Sequence, residues 1–349
     1  MDRKNIAVVF GGVSSEHSIS LMSAATFIEN LDQSKYHLYL IGITEKGNFL
    51  YYTGDPSKIR TGEWEQGPVC DCVISPSRQH HGMLLLKESG CEIVPVDCII
   101  PVLHGKNGED GTIQGLFQLA GIPFVGCDAI SSAMCMDKQI THIVLEHAGV
   151  KMAKWLSVRQ GEIPGDFVQQ VETKLGYPVF VKPANAGSSY GVSKASNQTE
   201  LADSLKLAFE YDKKVIVEET IVGREVECAV LGNADAAASA AGEIEPANGF
   251  YDFEAKYVSA DSLLHIPARL KPEVAERLRS TAVKAYRAIG CEGLSRVDFF
   301  VTVDGQVILN EINTLPGFTS ISMYPKLWAH GGVPIPQLLD RLIAYALER

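Results

Sequence analysis

The stretch Arg296-Val-Asp298-Phe-Phe-Val-Thr-Val-Asp-Gly-Gln-Val-Ile-Leu-Asn-Glu311-Ile-Asn313 carries the reading of this chain. Two runs rich in valine, isoleucine and phenylalanine flank Asp304-Gly305, the dipeptide favoured in two-residue type I′ turns, so the segment is predicted to be a β-hairpin. Counting back from that turn pairs Val303 with Gln306, sets Asp298 opposite Glu311 and sets Arg296 opposite Asn313. Side chains alternate faces along a strand, so these last four share one face. Carboxylates directly opposed across a ladder repel each other, and the pairing weakens the sheet unless positive charge lies between them. A hard divalent cation with oxygen ligands, Mg²⁺ foremost, answers that need, with Asp298, Glu311 and Asn313 as its ligands. A solvated sheet face with an Arg296 salt bridge answers it equally well.

Three loops upstream bear on the choice. Val181-Lys182-Pro-Ala-Asn-Ala-Gly187-Ser188-Ser189-Tyr190-Gly191 runs from an apolar strand into small residues, where backbone N–H groups can approach a phosphate and Lys182 supplies charge. No Lys-Ser/Thr follows the glycines as in a Walker loop, and a plain turn is the other reading. His104-Gly-Lys-Asn-Gly-Glu-Asp-Gly-Thr-Ile-Gln-Gly115 leads into a helix N-terminus, a place where anions dock, while His104 also suits a structural hydrogen-bonding role. Gly11-Gly12-Val13-Ser14-Ser15-Glu16 joins strand to helix without the G-x-G-x-x-G spacing of a dinucleotide site.

Around these motifs, strand and helix alternate. Apolar strands over 6–10, 39–43 and 96–103 are interleaved with helical spacing at Leu21, Ala24, Ala25, Ile28 and Leu31, and at Ile113, Leu116, Phe117 and Ala120, the pattern of an α/β domain. Asp110 is predicted to cap the second of these helices and Gly121 to end it. Residues 44–92, rich in Gly, Ser and His, read as irregular surface structure. The pattern restarts after 128 with helices over 137–147 and 167–175 and a strand over 178–182. Strands over 214–219 and 225–231 flank Gly223, a candidate hinge, and a helix from Pro272 to Gly290 precedes the hairpin.

A chain of 349 residues exceeds what one core organises, so two or three units with a cleft between them are expected. The 46% hydrophobic and 21% charged composition is that of a globular protein. A net charge of −11 repels nucleic acid and anionic membranes. The N-terminal apolar run is too short for a signal peptide, and no run reaches membrane-spanning length. Eight scattered cysteines, with Cys70 and Cys72 the only close pair, read as reduced thiols, and a cytoplasmic protein is expected.

In order along the chain, residues 104–115 and 182–191, Arg296-Val-Asp298, and Asn310-Glu311-Ile-Asn313-Thr-Leu-Pro316-Gly317-Phe-Thr-Ser-Ile-Ser322-Met323 resemble the signatures of the D-alanine:D-alanine ligase family. The resemblance spans essentially the whole chain. It implies a mixed α/β and α+β architecture: an N-terminal α/β pre-ATP-grasp domain over 1–130, then a two-part ATP-grasp fold with a central subdomain over 131–221 and a C-terminal, metal-bearing subdomain over 222–349. By position it implies Lys138 and Lys182 on the ATP phosphates, with Ser189 in the glycine-rich loop. Glu218, Glu219 and Ile221 would line the adenine, Glu225 would meet the ribose, Lys256 the γ-phosphate, and Asn310 would lie beside the nucleotide. Asp298, Glu311 and Asn313 would hold two Mg²⁺ ions, or Mn²⁺. Glu16 would anchor the first substrate's ammonium in a trio with Ser188 and Tyr257, with His104 nearby. Arg296 and the Gly317 N–H would form an oxyanion hole, and Ser322 would bind the second substrate's carboxylate.

The implied reaction has two steps: one D-alanine carboxylate takes the γ-phosphoryl of ATP, and a second D-alanine amine then attacks the acyl phosphate, supplying a peptidoglycan precursor. Residues 250–257 resemble a loop that closes over the site and excludes water. A homodimer is implied as well. Relatives that use D-serine carry arginine where this chain has Met323 and phenylalanine where it has Tyr251, and lactate-using relatives lack the Lys256-Tyr257 pair. Both departures point to D-alanine, because Met323 offers no hydrogen bond to a serine hydroxyl. A D-alanine:D-serine ligase is the alternative. Another ATP-grasp ligase is opposed by the Glu16, Ser188 and Tyr257 set, a Rossmann oxidoreductase by the missing glycine fingerprint, and a silent ATP-binding module by the filled catalytic positions.

Overall fold

The computed structural model describes residues 3–187, 190–245, 263–319 and 321–349. Among these residues the chain is organised by three sheets. In the first, β1 (Lys4–Gly11) lies between β2 (Tyr36–Ile43) and β7 (Cys98–Leu103), parallel to both. Its core residues Ile6 to Phe10 are all buried, as a central parallel strand covered on both faces requires. Helix α1 (His17–Asn30) connects β1 to β2 and buries Leu21, Ala24, Ala25 and Ile28, the predicted face. At their junction Gly11 has φ +87°, and a Cβ there would fall 2.2 Å from the Ile43 carbonyl oxygen, so the turn accepts only glycine.

Residues 44–92 depart from expectation. Instead of irregular structure they form β3 (Phe49–Tyr52), β4 (Val69–Ile74), β5 (Gly82–Lys87) and β6 (Gly90–Pro95), which extend the sheet antiparallel from β2 in sequence order, with helix α2 (Ser57–Thr61) between the first two. These strands are four to six residues long and end in the largely exposed β6, so their alternation is brief and the Gly-, Ser- and His-rich links dominate the composition. A second correction concerns α3 (Thr112–Ala120). Its N-cap is Gly111 in the left-handed region, and Asp110 sits one residue earlier, accepting from the Thr112 and Asn107 N–H groups. Gly121 ends the helix as predicted.

The second sheet is antiparallel throughout, in the order β10-β9-β11-β8, from β8 (Trp155–Arg159), β9 (Val179–Pro183), β10 (Ser193–Ala195) and β11 (Lys214–Glu219). Helices α6 (Phe167–Lys174) and α7 (Gln198–Tyr211) cover it. Helices α4 (Ala129–Met136) and α5 (Lys138–His147) lead into this unit. Residues 220–223 pass directly to the third sheet, in the order β14-β13-β12-β15-β16: β12 (Arg224–Leu231), β13 (Ala237–Glu245), β14 (Leu263–His265), β15 (Leu294–Val301) and β16 (Val307–Asn313). Helix α8 (Pro272–Ile289) packs on it and ends at Gly290, as predicted. Helices α9 (Met323–His330) and α10 (Ile335–Leu347) then bury Leu327, Leu338 and Leu342 in one core with Ile6, Val8 and Ile100 of the first sheet. No helix among the described residues is long and apolar enough to cross a membrane.

Candidate active site

The hairpin forms, but not by the predicted turn. Thr302 N–H donates to the Gln306 carbonyl and Gly305 N–H to the Thr302 carbonyl, so the loop has three residues and Gly305 takes φ +79°. Val303 therefore does not pair with Gln306. A bulge at Asn310 then restores the register: Phe299 faces Leu309, yet Asp298 faces Glu311 and Arg296 faces Asn313, as predicted. On the other side β12 places Glu227 opposite Asp298, which makes a row of three acids across three strands. Arg296 lies against this row. Its Nε and terminal nitrogen donate to the two Asp298 oxygens at 2.8 and 2.7 Å, and its Nε is 3.1 Å from Glu227 Oε2. The Asn313 amide donates to Asp298 at 2.9 Å. The Arg296 salt bridge is thus present, and it occupies the face on which the carboxylates meet.

A second constellation starts from α5. Asp137 caps this helix by accepting from the Gln139 and Ile140 N–H groups, and its carboxylate pairs with Lys214 of β11. The next residue, Lys138, sends Nζ to the Ala186 carbonyl at 2.7 Å, tying the helix start to the loop after β9. Four residues on, His142 Nε2 is 2.8 Å from Glu218 Oε1, and the other Glu218 oxygen accepts from Lys182 Nζ at 2.5 Å. Burial pushes the Glu218 pKa upward, but Lys182, and then His142, outweigh it and hold the carboxyl well below the usual carboxylate range. Glu219 accepts from the Lys154 N–H at 2.9 Å, and Ile221 and Glu225 stand half-buried on either side of the crossing between sheets.

Parts of both constellations meet at one cavity of about 50 Å³. Lys138, Thr141 and His142 line it from α5, Ala186 and Gly187 from the glycine-rich loop, Asn310 to Thr314 from β16 and beyond, and Glu109 from the N-terminal unit. An adjoining pocket is bounded by Glu225, Glu227, Asp298, Asn310 and Glu311. Among the described residues no three carboxylate, imidazole or thiol side chains converge as a metal cluster. The hard donors available to a cation on the hairpin are therefore two carboxylates and one amide.

The N-terminal loops close the third side. Glu16 is 5% exposed at the start of α1, and its Oε2 lies where Cβ atoms on Gly105 and Gly187 would come within 2.4 and 3.4 Å. Glu16 thus reaches the residue that precedes Ser188. His104 is buried beside Glu109, and its Nε2 is 3.3 Å from Ser23 Oγ. Burial disfavours the imidazolium, yet Glu109 and Glu16 outweigh that and raise the His104 pKa. Ser322 caps no N–H of α9; its Oγ accepts from the Thr319 N–H and would stand 2.9 Å from a Cβ on Gly317. Met323 is 5% exposed, with Sδ against Gly242 of β13.

Of the predicted site residues, Ser188, Ser189, Tyr251, Lys256 and Tyr257 lie outside the described residues. Two residues at the site escaped the sequence reading. Glu227 follows Glu225 by two and shares its strand face, a parity signal that the apolar appearance of β12 hid. His142 follows Lys138 by four, on the same helix face.

Comparison with known proteins agrees over the full length. Residues 5–127 match the family model described as the D-ala D-ala ligase N-terminus, and residues 144–344 the model described as the D-ala D-ala ligase C-terminus. A D-alanine–D-alanine ligase of Acetivibrio thermocellus is 49% identical, covering 100% of this chain and 97% of its own. Escherichia coli D-alanine–D-alanine ligase A is 42% identical over the same shares. Among solved structures, the VanG D-Ala:D-Ser ligase of Enterococcus faecalis superimposes with a TM-score of 0.92 at 44% identity, covering 99% of this chain and 100% of the other. The D-alanine-D-alanine ligase of Coxiella burnetii gives 0.87 at 34%, covering 99% and 96%. The chain belongs to the D-alanine–D-alanine ligase family.

Proposed function

We propose that this protein joins two D-alanine molecules into D-alanyl-D-alanine for cell-wall synthesis, converting ATP to ADP and phosphate, in the bacterial cytoplasm and as a homodimer. The observation that carries the reading is the cavity in which Lys138 faces Glu311 and Asn313, with Lys182 joined to it through Glu218 and His142. Ammonium groups beside hard oxygen donors suit a triphosphate with its divalent cation. Two Mg²⁺ ions fit Asp298, Glu311 and Asn313, and when bound they would offset phosphoryl charge during transfer.

The chain's own groups take the remaining tasks. Lys138 and Lys182 bind phosphate oxygens, while Glu218, Glu219, Ile221 and Glu225 hold the nucleoside at the crossing between sheets, with Ser189, Lys256 and Asn310 completing the nucleotide site. Glu16, with Ser188 and Tyr257, orients the first D-alanine by its ammonium next to His104, so that its carboxylate faces the γ-phosphate. Arg296 and the Gly317 N–H stabilise the oxyanion that forms when the second amine attacks. Ser322 positions that second substrate by its carboxylate, with Met323 and Tyr251 bounding its side chain.

Glu311→Gln removes one charge without changing shape. It is expected to lower ATP-dependent dipeptide synthesis about 100-fold while leaving the circular-dichroism spectrum intact. Wild-type turnover in that variant would remove the metal assignment. D-serine as second substrate is the competing reading, and the fit to a D-Ala:D-Ser ligase structure favours giving it a direct test. Met323, apolar and buried against Gly242, argues for D-alanine.

A further inference from the structure

Among the groups lining the nucleotide cavity, His142 contacts none of the ATP or D-alanine groups assigned so far. Its side chain is 3% exposed, the ring lies tilted against Trp155 with centroids 5.3 Å apart, and it stands between two carboxylates. Nε2 makes the 2.8 Å bond to Glu218 Oε1. Nδ1 is buried with no hydrogen-bond partner among the described residues, the Glu146 carboxylate standing 3.8 Å away. A buried ring nitrogen left unsatisfied is unfavourable, so the ring is not placed to complete its own hydrogen bonding. Its one directional bond serves Glu218. That carboxylate in turn has one oxygen on His142 and the other on Lys182 Nζ.

We infer that His142 is a positioning residue for the nucleotide site: it fixes one oxygen of Glu218 so that the other holds the Lys182 ammonium where ATP phosphate arrives. Without the Nε2–H bond, the Glu218 carboxylate is free to turn both oxygens onto Lys182 and draw the ammonium back from the phosphate. The backbone of α5 adds a constraint. Lys138 lies one helical turn before His142, so a single helix face carries one phosphate lysine and orients the other. The inference rests on the proposal that Lys182 binds ATP.

The test compares His142→Gln, His142→Asn and His142→Leu with Lys182→Ala in the full-length protein, by steady-state kinetics and by calorimetric titration with ADP. Glutamine places an N–H close to the position of Nε2; asparagine, one bond shorter, places it near Nδ1. Loss of a hydrogen bond to a charged group should raise the KM for ATP and the Kd for ADP about tenfold in the Asn and Leu variants, with the KM for D-alanine unchanged. His142→Gln should restore most of the loss. Gln and Asn are both polar and close in size, so matched unfolding midpoints between them remove stability as an explanation. Equal nucleotide affinity in Gln and Asn variants, or unchanged affinity in all three alongside a loss in Lys182→Ala, overturns the inference alone. Unchanged affinity in Lys182→Ala overturns the nucleotide reading and this inference with it.

Discussion

Buried charge at the site is held by specific partners, and the consequences can be read residue by residue. Arg296 bonds both oxygens of Asp298 and approaches Glu227, and all three side chains are largely buried. Arg296→Ala therefore does two things: it removes the oxyanion donor proposed above, and it takes away the guanidinium that Asp298 and Glu227 share. It should lower kcat far more than it changes ATP affinity, and should also destabilise the fold by about 3 kcal/mol in the absence of added metal. Chemical denaturation and initial rates measure both; a change confined to ATP binding would contradict the assignment. Glu218 sets a pH dependence. Its folded pKa is depressed, so its contribution is fully present above the unfolded value, about 4.3, and is lost as pH falls toward the folded value. The stability gap between wild type and Glu218→Gln should be widest near neutrality and shrink in acid; a gap constant with pH would rule out the ion pair as its source. The opposed Asp298 and Glu311 were legible because strand parity is a period-two rule. The Glu218–His142 bond was not, because it joins residues 76 apart on a strand and a helix whose relative placement no local pattern encodes.

The elements show where sequence rules compensate for one another and where they fail. The expected two-residue turn is a three-residue loop, which shifts the ladder by one, and the bulge at Asn310 shifts it back, so the acidic pair meets in spite of the wrong turn. Helix α1 came out as read from its apolar spacing, and α8 from its Pro272 start and Gly290 stop, both strong local signals. Strands β3 to β6 were missed because strands of four to six residues carry too few alternations to register. The loop after β7 supplies a test of the first-substrate site. Gly105 has φ +67°, and a Cβ there would come 2.4 Å from Glu16 Oε2, the far end of the Glu16 side chain. Gly105→Ala should displace the Glu16 carboxylate, raising the KM for the first D-alanine about tenfold and costing about 1 kcal/mol in stability from the left-handed backbone. Unchanged D-alanine kinetics in a folded Gly105→Ala variant would dissociate Glu16 from substrate binding.

At the scale of the whole molecule, α9 and α10 pack into the core of the N-terminal sheet, so the third sheet is fastened to the first, while the second unit meets the third through Leu145 of α5 and the Lys151–Leu309 backbone bond as well as through residues 220–223. That arrangement sets Glu109 from the first unit, Lys138 from the second, and Asp298 and Glu311 from the third around adjoining pockets, with Glu16 reaching toward Gly187 of the same lining. A restart of the strand–helix pattern near residue 128 was legible, whereas the core that α9 and α10 share with the first sheet was not, since an apolar helix face does not state which sheet covers it. The substrate choice proposed for Ser322 and Met323 belongs to this scale too, because they stand at the start of the helix that bridges the units. The most direct measurement is phosphate release by the purified protein with ATP and Mg²⁺ against a panel of D-alanine, D-serine and D-lactate, with product identified by mass spectrometry. Phosphate released in equal amount to D-alanyl-D-alanine, with D-alanine preferred as second substrate, is the predicted result. ATP turnover that needs no D-alanine, or preferential formation of D-alanyl-D-serine, would contradict it.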